Sequence, residues 1–120
     1  MTENEQQIAA LQRQIEGAKQ GLALGKALVN LKSNADFKTL ITEGYLQSEA
    51  VRLVHLKSDP AMQQPHLQAS IMRDIDSIGS LAEFFRLVAK AGEQAERSIQ
   101  GAEEQITEIE EEMANEPEAN

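Results

Sequence analysis

The chain has no cysteine and no tryptophan. The missing thiols exclude disulfides and thiolate chemistry and suit a reducing compartment or a virion. Only three Phe and one Tyr occur among 120 residues, so a core must be built from Leu, Ile, Val and Ala. That composition suits helices packed through a thin seam and suits a β-sandwich poorly. No run of about 18 apolar residues is present, so no segment reads as a membrane span. Met1-Thr2-Glu3-Asn4-Glu5 is acidic and polar, unlike the start of a signal peptide. Basic residues are scarce where acidic ones crowd. Residues 93–120 hold ten acidic groups and one basic group, whereas residues 1–32 hold three and four. The whole net charge of −9 therefore sits in the last quarter. Such an end repels phosphate, which argues against nucleic-acid binding there, and its plainest reading is a solvated face.

What the chain does have is a heptad stripe at each end. Ile8, Leu11, Ile15, Ala18, Leu22, Gly25 and Val29 follow a spacing of three and four. The same spacing runs through Phe85, Val88, Gly92, Ala95, Ile99, Ala102, Ile106, Ile109 and Met113. Stripes this long predict two helices that bury a narrow seam. On length the chain is a single domain, with a first stalk helix over 4–32, short head helices over 34–58, a long second helix over 66–113 and a frayed acidic tail over 114–120. The fold class predicted is all-α: an antiparallel coiled-coil helical hairpin with a small head of short helices.

Local signals place the boundaries. Asn34 is a natural N-cap for a short helix carrying Phe37, Leu40 and Ile41, and Gly44 reads as its C-cap. Ser48 reads as the cap of a third helix, from Glu49 to about Lys57. Asp59-Pro60 and Pro65 bracket a loop. Gly79-Ser80 invites a break in the last helix, yet one heptad phase persists from Leu67 to Met113 and predicts a continuous helix. The short helices should fold back on residues 67–90, which are apolar on more than one face.

Antiparallel pairing sets position a of one helix against d of the other. The register that pairs Leu11 with Met113 and Ile15 with Ile109 sets large against small in four of six layers, Ala18 with Ile106, Leu22 with Ala102, Gly25 with Ile99 and Val29 with Ala95. Pairing Ile8 with Ile109 does so nearly as well, but it sets Gly25 against Gly92 and leaves a hole, so the first register is preferred. Lys19 and Lys26 at e would lie along Glu96, Glu103 and Glu110 at e of the last helix, which favours the antiparallel direction. Gly17, Gly21 and Gly25 lie nearly on one face and predict close backbone approach by another helix.

Signs of chemistry are few. His55, Asp59 and His66 lack any metal-ligand spacing. Glu108–Glu112 lacks the turn glycine of a calcium loop. Gly21-Leu22-Ala23-Leu24-Gly25-Lys26 lacks the preceding strand and following hydroxyl of a phosphate loop. Asp74, at a d position, reads as a register-setting polar residue or a partner for a buried Arg52. No catalytic residue, metal ligand or cofactor site emerges, and the chain is expected not to be an enzyme. Candidate partner-binding residues are Tyr45 with Leu46, since a lone tyrosine can anchor a partner. Gly21 and Leu28 join them because, with Ala91, they extend an apolar strip that the short helices or a second copy could cover. Glu110 and Glu111 stand for the acidic end.

Leu28-Val29, Asn34-Ala35-Asp36-Phe37-Lys38, Leu40-Ile41, Gly44-Tyr45-Leu46, Glu49-Ala50-Val51-Arg52-Leu53-Val54 and Asp59-Pro60 together resemble a family of small helical proteins of tailed bacteriophages. The likeness continues through Ile71, Ile75, Ile78, Leu81 and Phe84-Phe85, covering residues 28–90. Such proteins are encoded among virion structure and assembly genes. The resemblance implies a non-enzymatic structural or assembly protein, located in the host cytoplasm or the virion. It would contact a virion component or further copies of itself, including as a homo-oligomer, and no membrane. The alternative is a small acidic phage protein that binds a host protein through its Glu-rich C-terminal helix.

The stripe makes a direct forecast. Ile99→Asp puts a charge in the seam and should cost several kcal/mol, whereas Glu111→Ala, on the outer face, should stay within about 0.5 kcal/mol. Thermal melts of the two variants side by side check the assignment.

Overall fold

A computed structural model describes residues 1–116. Its elements are α1 (Glu3–Lys32), α2 (Ala35–Phe37), a π-helix (Lys38–Glu49), α3 (Ala50–Ser58), a 3₁₀ turn (Pro60–Met62) and α4 (Pro65–Ala114). The fold is all-α, with no strand among the described residues. The tail expected over 114–120 lies partly outside them, from residue 117 on.

The helix ends follow from side chains that satisfy free backbone groups. Thr2 Oγ1 accepts from the Glu5 N–H at 3.1 Å, and Glu5 Oε2 accepts from the Thr2 N–H at 3.4 Å, a reciprocal capping pair. Asn34 Oδ1 accepts from the Phe37 N–H at 3.0 Å, as its position predicts. Asp59 leaves the helix in an extended conformation ahead of Pro60 and caps the 3₁₀ turn by accepting from the Ala61 N–H at 2.8 Å. Two glutamines then lace this loop. Gln63 Nε2 donates to the Lys57 and Asp59 carbonyls, and Gln68 Nε2 to those of Lys57 and Met62. α4 starts at Pro65 and runs unbroken through Gly79-Ser80, in keeping with the constant heptad phase.

Contacts divide the chain into two compact units, Met1–Lys26 with the chain from Lys90 onward, and Ala27–Ala89. In the first, the opening part of α1 lies antiparallel to the closing part of α4. The register is the one in which two glycines meet. A Cβ on Gly25 would lie 2.7 Å from Gly92 Cα, and one on Gly92 would lie 2.8 Å from Gly25 Cα. The expectation of Leu11 opposite Met113 is thereby corrected. The glycine pair was expected to leave a hole because side chains were counted at a fixed helix separation. Instead the backbones converge until they touch, and the hole closes. Counting outward from this contact sets Leu22 opposite Ala95, Ala18 opposite Ile99 and Ile15 opposite Ala102, which alternates large with small. Ala95 and Ala102 are buried, the latter at 0% exposure.

The two helices lean on their g edges. Gln14 Nε2 donates to the Ser98 carbonyl at 3.1 Å and to Ser98 Oγ at 3.0 Å. A Cβ on Gly21 would meet the Ala91 carbonyl oxygen and the Ala95 Cβ, each at 3.4 Å. The opposed e rows form no ion pair among the described residues. Lys19 pairs with Glu16 on its own helix at 2.7 Å, because an i,i+3 neighbour is nearer than a carboxylate across the seam. Of the three glycines expected to face a helix, Gly21 and Gly25 do so, while nothing lies within 4 Å of a Cβ on Gly17.

The second unit holds the larger side chains of the core. Leu53, Ile71 and Ile78 form its centre, with Tyr45, Leu46, Ala50, Leu56, Met62 and Ile75 packed around them. The short helices thus fold back on α4 as expected. Phe37 meets Phe85 edge to face at 5.8 Å. Leu28 is buried here while Val29 is 68% exposed, so the stripe of α1 ends before Val29. The expected C-cap at Gly44 and N-cap at Ser48 are not formed. The chain passes both residues in continuous π winding, with no residue at positive φ.

Glycine substitutions separate contact from propensity. Gly17→Ala should gain up to about 1 kcal/mol, because it adds helix propensity and meets nothing. Gly25→Ala should lose about 1–3 kcal/mol, because its methyl drives the helices apart. Opposite shifts in melting temperature are the expected result.

Candidate functional site

No group of three or more His, Cys, Asp or Glu among the described residues is placed to hold a metal ion. His55 is exposed in the last turn of α3, and His66 is exposed in the first turn of α4. Two kinds of surface stand out, apolar ones on the second unit and an acidic one on the first.

Tyr45 and Leu46 are half-buried. Both pack on the Leu53–Ile71–Ile78 centre, because the winding of the π-helix that carries them turns them toward α4. Gly21 is occupied by Ala91 and Ala95, and Leu28 is buried, so the strip that might have received a second copy is filled within the chain at both positions. Glu110 and Glu111 are exposed. Glu108, Glu111, Glu112 and Glu116 line one open concavity at the end of α4, and none of them is in an ion pair among the described residues.

A surface missed in the sequence lies on α4 at Gly79-Ser80. These two small residues, on a helix that does not break, leave a notch between Ile75 and Asp76 on one side and Glu83, Phe84 and Leu87 on the other. Phe84 is 57% exposed and leans on Phe85, with ring centroids 6.1 Å apart. The Gly-Ser pair that marks the notch was legible, but as a threatened break rather than a depression on an intact helix.

Two carboxylates are electrostatically tuned. Glu49 accepts from Arg52 Nε at 2.9 Å, and Glu83 accepts from Arg86 Nε at 2.9 Å. These charge-assisted bonds hold both carboxyls below their ordinary value and raise both guanidiniums. Arg52 is exposed and bonded to Glu49, and Asp74 is exposed too. The buried Arg52–Asp74 partnership is therefore replaced by an i,i+3 pair along one helix.

No protein-family model matches the chain, and comparison with curated proteins and with solved structures finds no match. No membrane-spanning candidate occurs either, since no helix of the described residues is long and apolar enough.

A depressed carboxyl contributes fully above its ordinary range, and the contribution is lost as pH falls through the lowered value. Carbon-detected NMR titration should find the Glu49 and Glu83 carboxyls ionising below the ordinary glutamate range. Arg52→Gln should return Glu49 to the ordinary range and leave Glu83 where it is.

Proposed function

We propose that this chain is a non-enzymatic bacteriophage structural or assembly protein acting through helix-mediated protein–protein contacts. Its two terminal helices serve as an antiparallel two-stranded coiled coil, and its interior segment carries the contact surface. The observation that carries this reading is the exposed Phe84 beside the Gly79-Ser80 notch. An aromatic ring on a rigid helix next to a depression is the kind of anchor that dominates protein interfaces. The resemblance of residues 28–90 to small phage proteins supplies the setting, in the host cytoplasm or the virion. The partner is a virion component or another copy of the chain.

A second reading makes the acidic end the binding surface, for a host protein. It is favoured by the row Glu108, Glu111, Glu112 and Glu116, which forms no ion pair among the described residues, with Glu110 exposed beside it.

Mass spectrometry of phage particles and of their assembly intermediates tests the first reading. Presence at fixed copy number in either supports it, and absence from both overturns it. Phe84→Ser should reduce particle yield while the purified protein keeps its melting temperature. Removal of residues 108–120 should leave particle yield unchanged; loss of capture of a host protein on that truncation would favour the acidic end instead.

A further inference from the structure

The π-helix is where this chain departs furthest from ordinary helix geometry. Its turns are closed by N–H groups that bond to the carbonyl five residues back, an arrangement that rarely persists beyond one turn. Packing explains why it does so here. Phe37, Ile41, Leu46 and Ala50 are at least half-buried, and Leu53 follows at the centre of the core. The steps from Phe37 to Ala50 are four, five and four residues, or about 4.3 per turn against the 3.6 of an α-helix. Lys38 and Glu43, five residues apart, are ion-paired at 3.9 Å, as a wide turn allows. Gly44 fits the winding as well. A Cβ there would lie 2.8 Å from the Thr39 carbonyl oxygen, so the π form has no room for a side chain at that position.

The same segment carries a second apolar face that the π winding leaves unused. Leu40 and Val51 are 69% and 55% exposed. Wound as an α-helix at about 100° per residue, the segment would place Leu40, Ile41 and Val51 within about 60° of Phe37 and turn Leu46, Ala50 and Leu53 to the opposite side. The two windings differ by about two residues' worth of rotation, or about 200°. Removing two residues at Gly44 would let an α-helix bring Leu46, Ala50 and Leu53 back to within about 40° of Phe37.

We infer that Lys38–Glu49 is a two-state winding switch. In the π state, α3 presents Ala50 and Leu53 to α4. In the α state it turns by about half a revolution and presents Val51, aligned with Phe37 and Leu40, instead. Gly44 permits the first state, and the two residues taken up by the wide turns drive the rotation into the second. Any partner that binds one face better than the other shifts the balance between them.

The absence of cysteine makes the test clean, because a single introduced thiol is the only one in the chain. Ala50→Cys and Val51→Cys are each placed in the parent chain, in Gly44→Ala, and in a chain lacking Glu43 and Gly44, and their rates of thiol labelling are compared. In the parent the thiol at position 51 should react several-fold faster than the one at 50. Gly44→Ala should invert that order with helicity retained. The double deletion should restore the parent's order and keep a cooperative melt. The parent's order surviving in a fully helical Gly44→Ala chain overturns the inference, as does a deletion chain that loses its cooperative melt. If Gly44→Ala does not fold, the deletion chain decides alone, since only surplus residues can be removed from a packed helix without losing its register.

Discussion

Gly25 and Gly92 meet backbone to backbone, and that contact governs how α1 and α4 pair in the first unit. Once the two backbones touch, the facing layers are fixed, since sliding by one heptad would bring Gly25 against Ile99 or Phe85. The layers nearest the contact then set large against small, and the burial of Ala95 and Ala102 is its consequence. The g edges close because Gly21, Ala91 and Ser98 are small, which lets Gln14 reach across to Ser98. The e edges carry Lys and Glu, whose long chains turn outward. Two residues without side chains thus determine more about this pairing than the charged rows beside it.

In the second unit the governing constraint is phase. Phe37 is fixed by Phe85 at one end of the short-helix run, and Leu53 is fixed by Ile71 and Ile78 at the other. An α-helix cannot satisfy both anchors, because Leu53 would lie about 160° from Phe37 at 100° per residue. The chain resolves the conflict by winding wider instead of breaking. This choice keeps the backbone hydrogen-bonded throughout, which a loop between the anchors would not.

Much of this was legible from the residues, and the failures have definite causes. Asn34, Asp59-Pro60 and Pro65 act locally through side-chain oxygens and ring geometry, so their roles follow from sequence alone. The continuity of α4 followed from the unbroken heptad phase, a property of the whole helix that outweighs the turn chemistry of Gly79-Ser80. Gly44 and Ser48 were misread because a shift of apolar phase looks alike whether the helix stops or widens. The register was misread because a fixed distance between helices was assumed, and glycines change that distance. Gly21 and Leu28 left a choice between the short helices and a second copy, because a sequence does not show which neighbour arrives first. The notch at Gly79 was hidden for a related reason: a depression exists only once the helix is known to continue.

The charge distribution then takes a narrower role than its size suggests. All four ion pairs among the described residues lie within single helical segments, and three are i,i+3 neighbours. Exposed pairs of this kind are screened by solvent and add little to the association of helices. What joins the helices is apolar contact and the side-chain amides of Gln14 and Gln68. The ten acidic residues of 93–120 act on what approaches from outside. A crowded carboxylate face repels phosphate and other acidic surfaces, and it opposes a second copy aligning the same stretch alongside it. Contact between copies through that end is disfavoured by the same physics that keeps it hydrated. The exposed apolar side chains of the second unit, Phe84, Leu40 and Val51 among them, lie outside that acidic stretch.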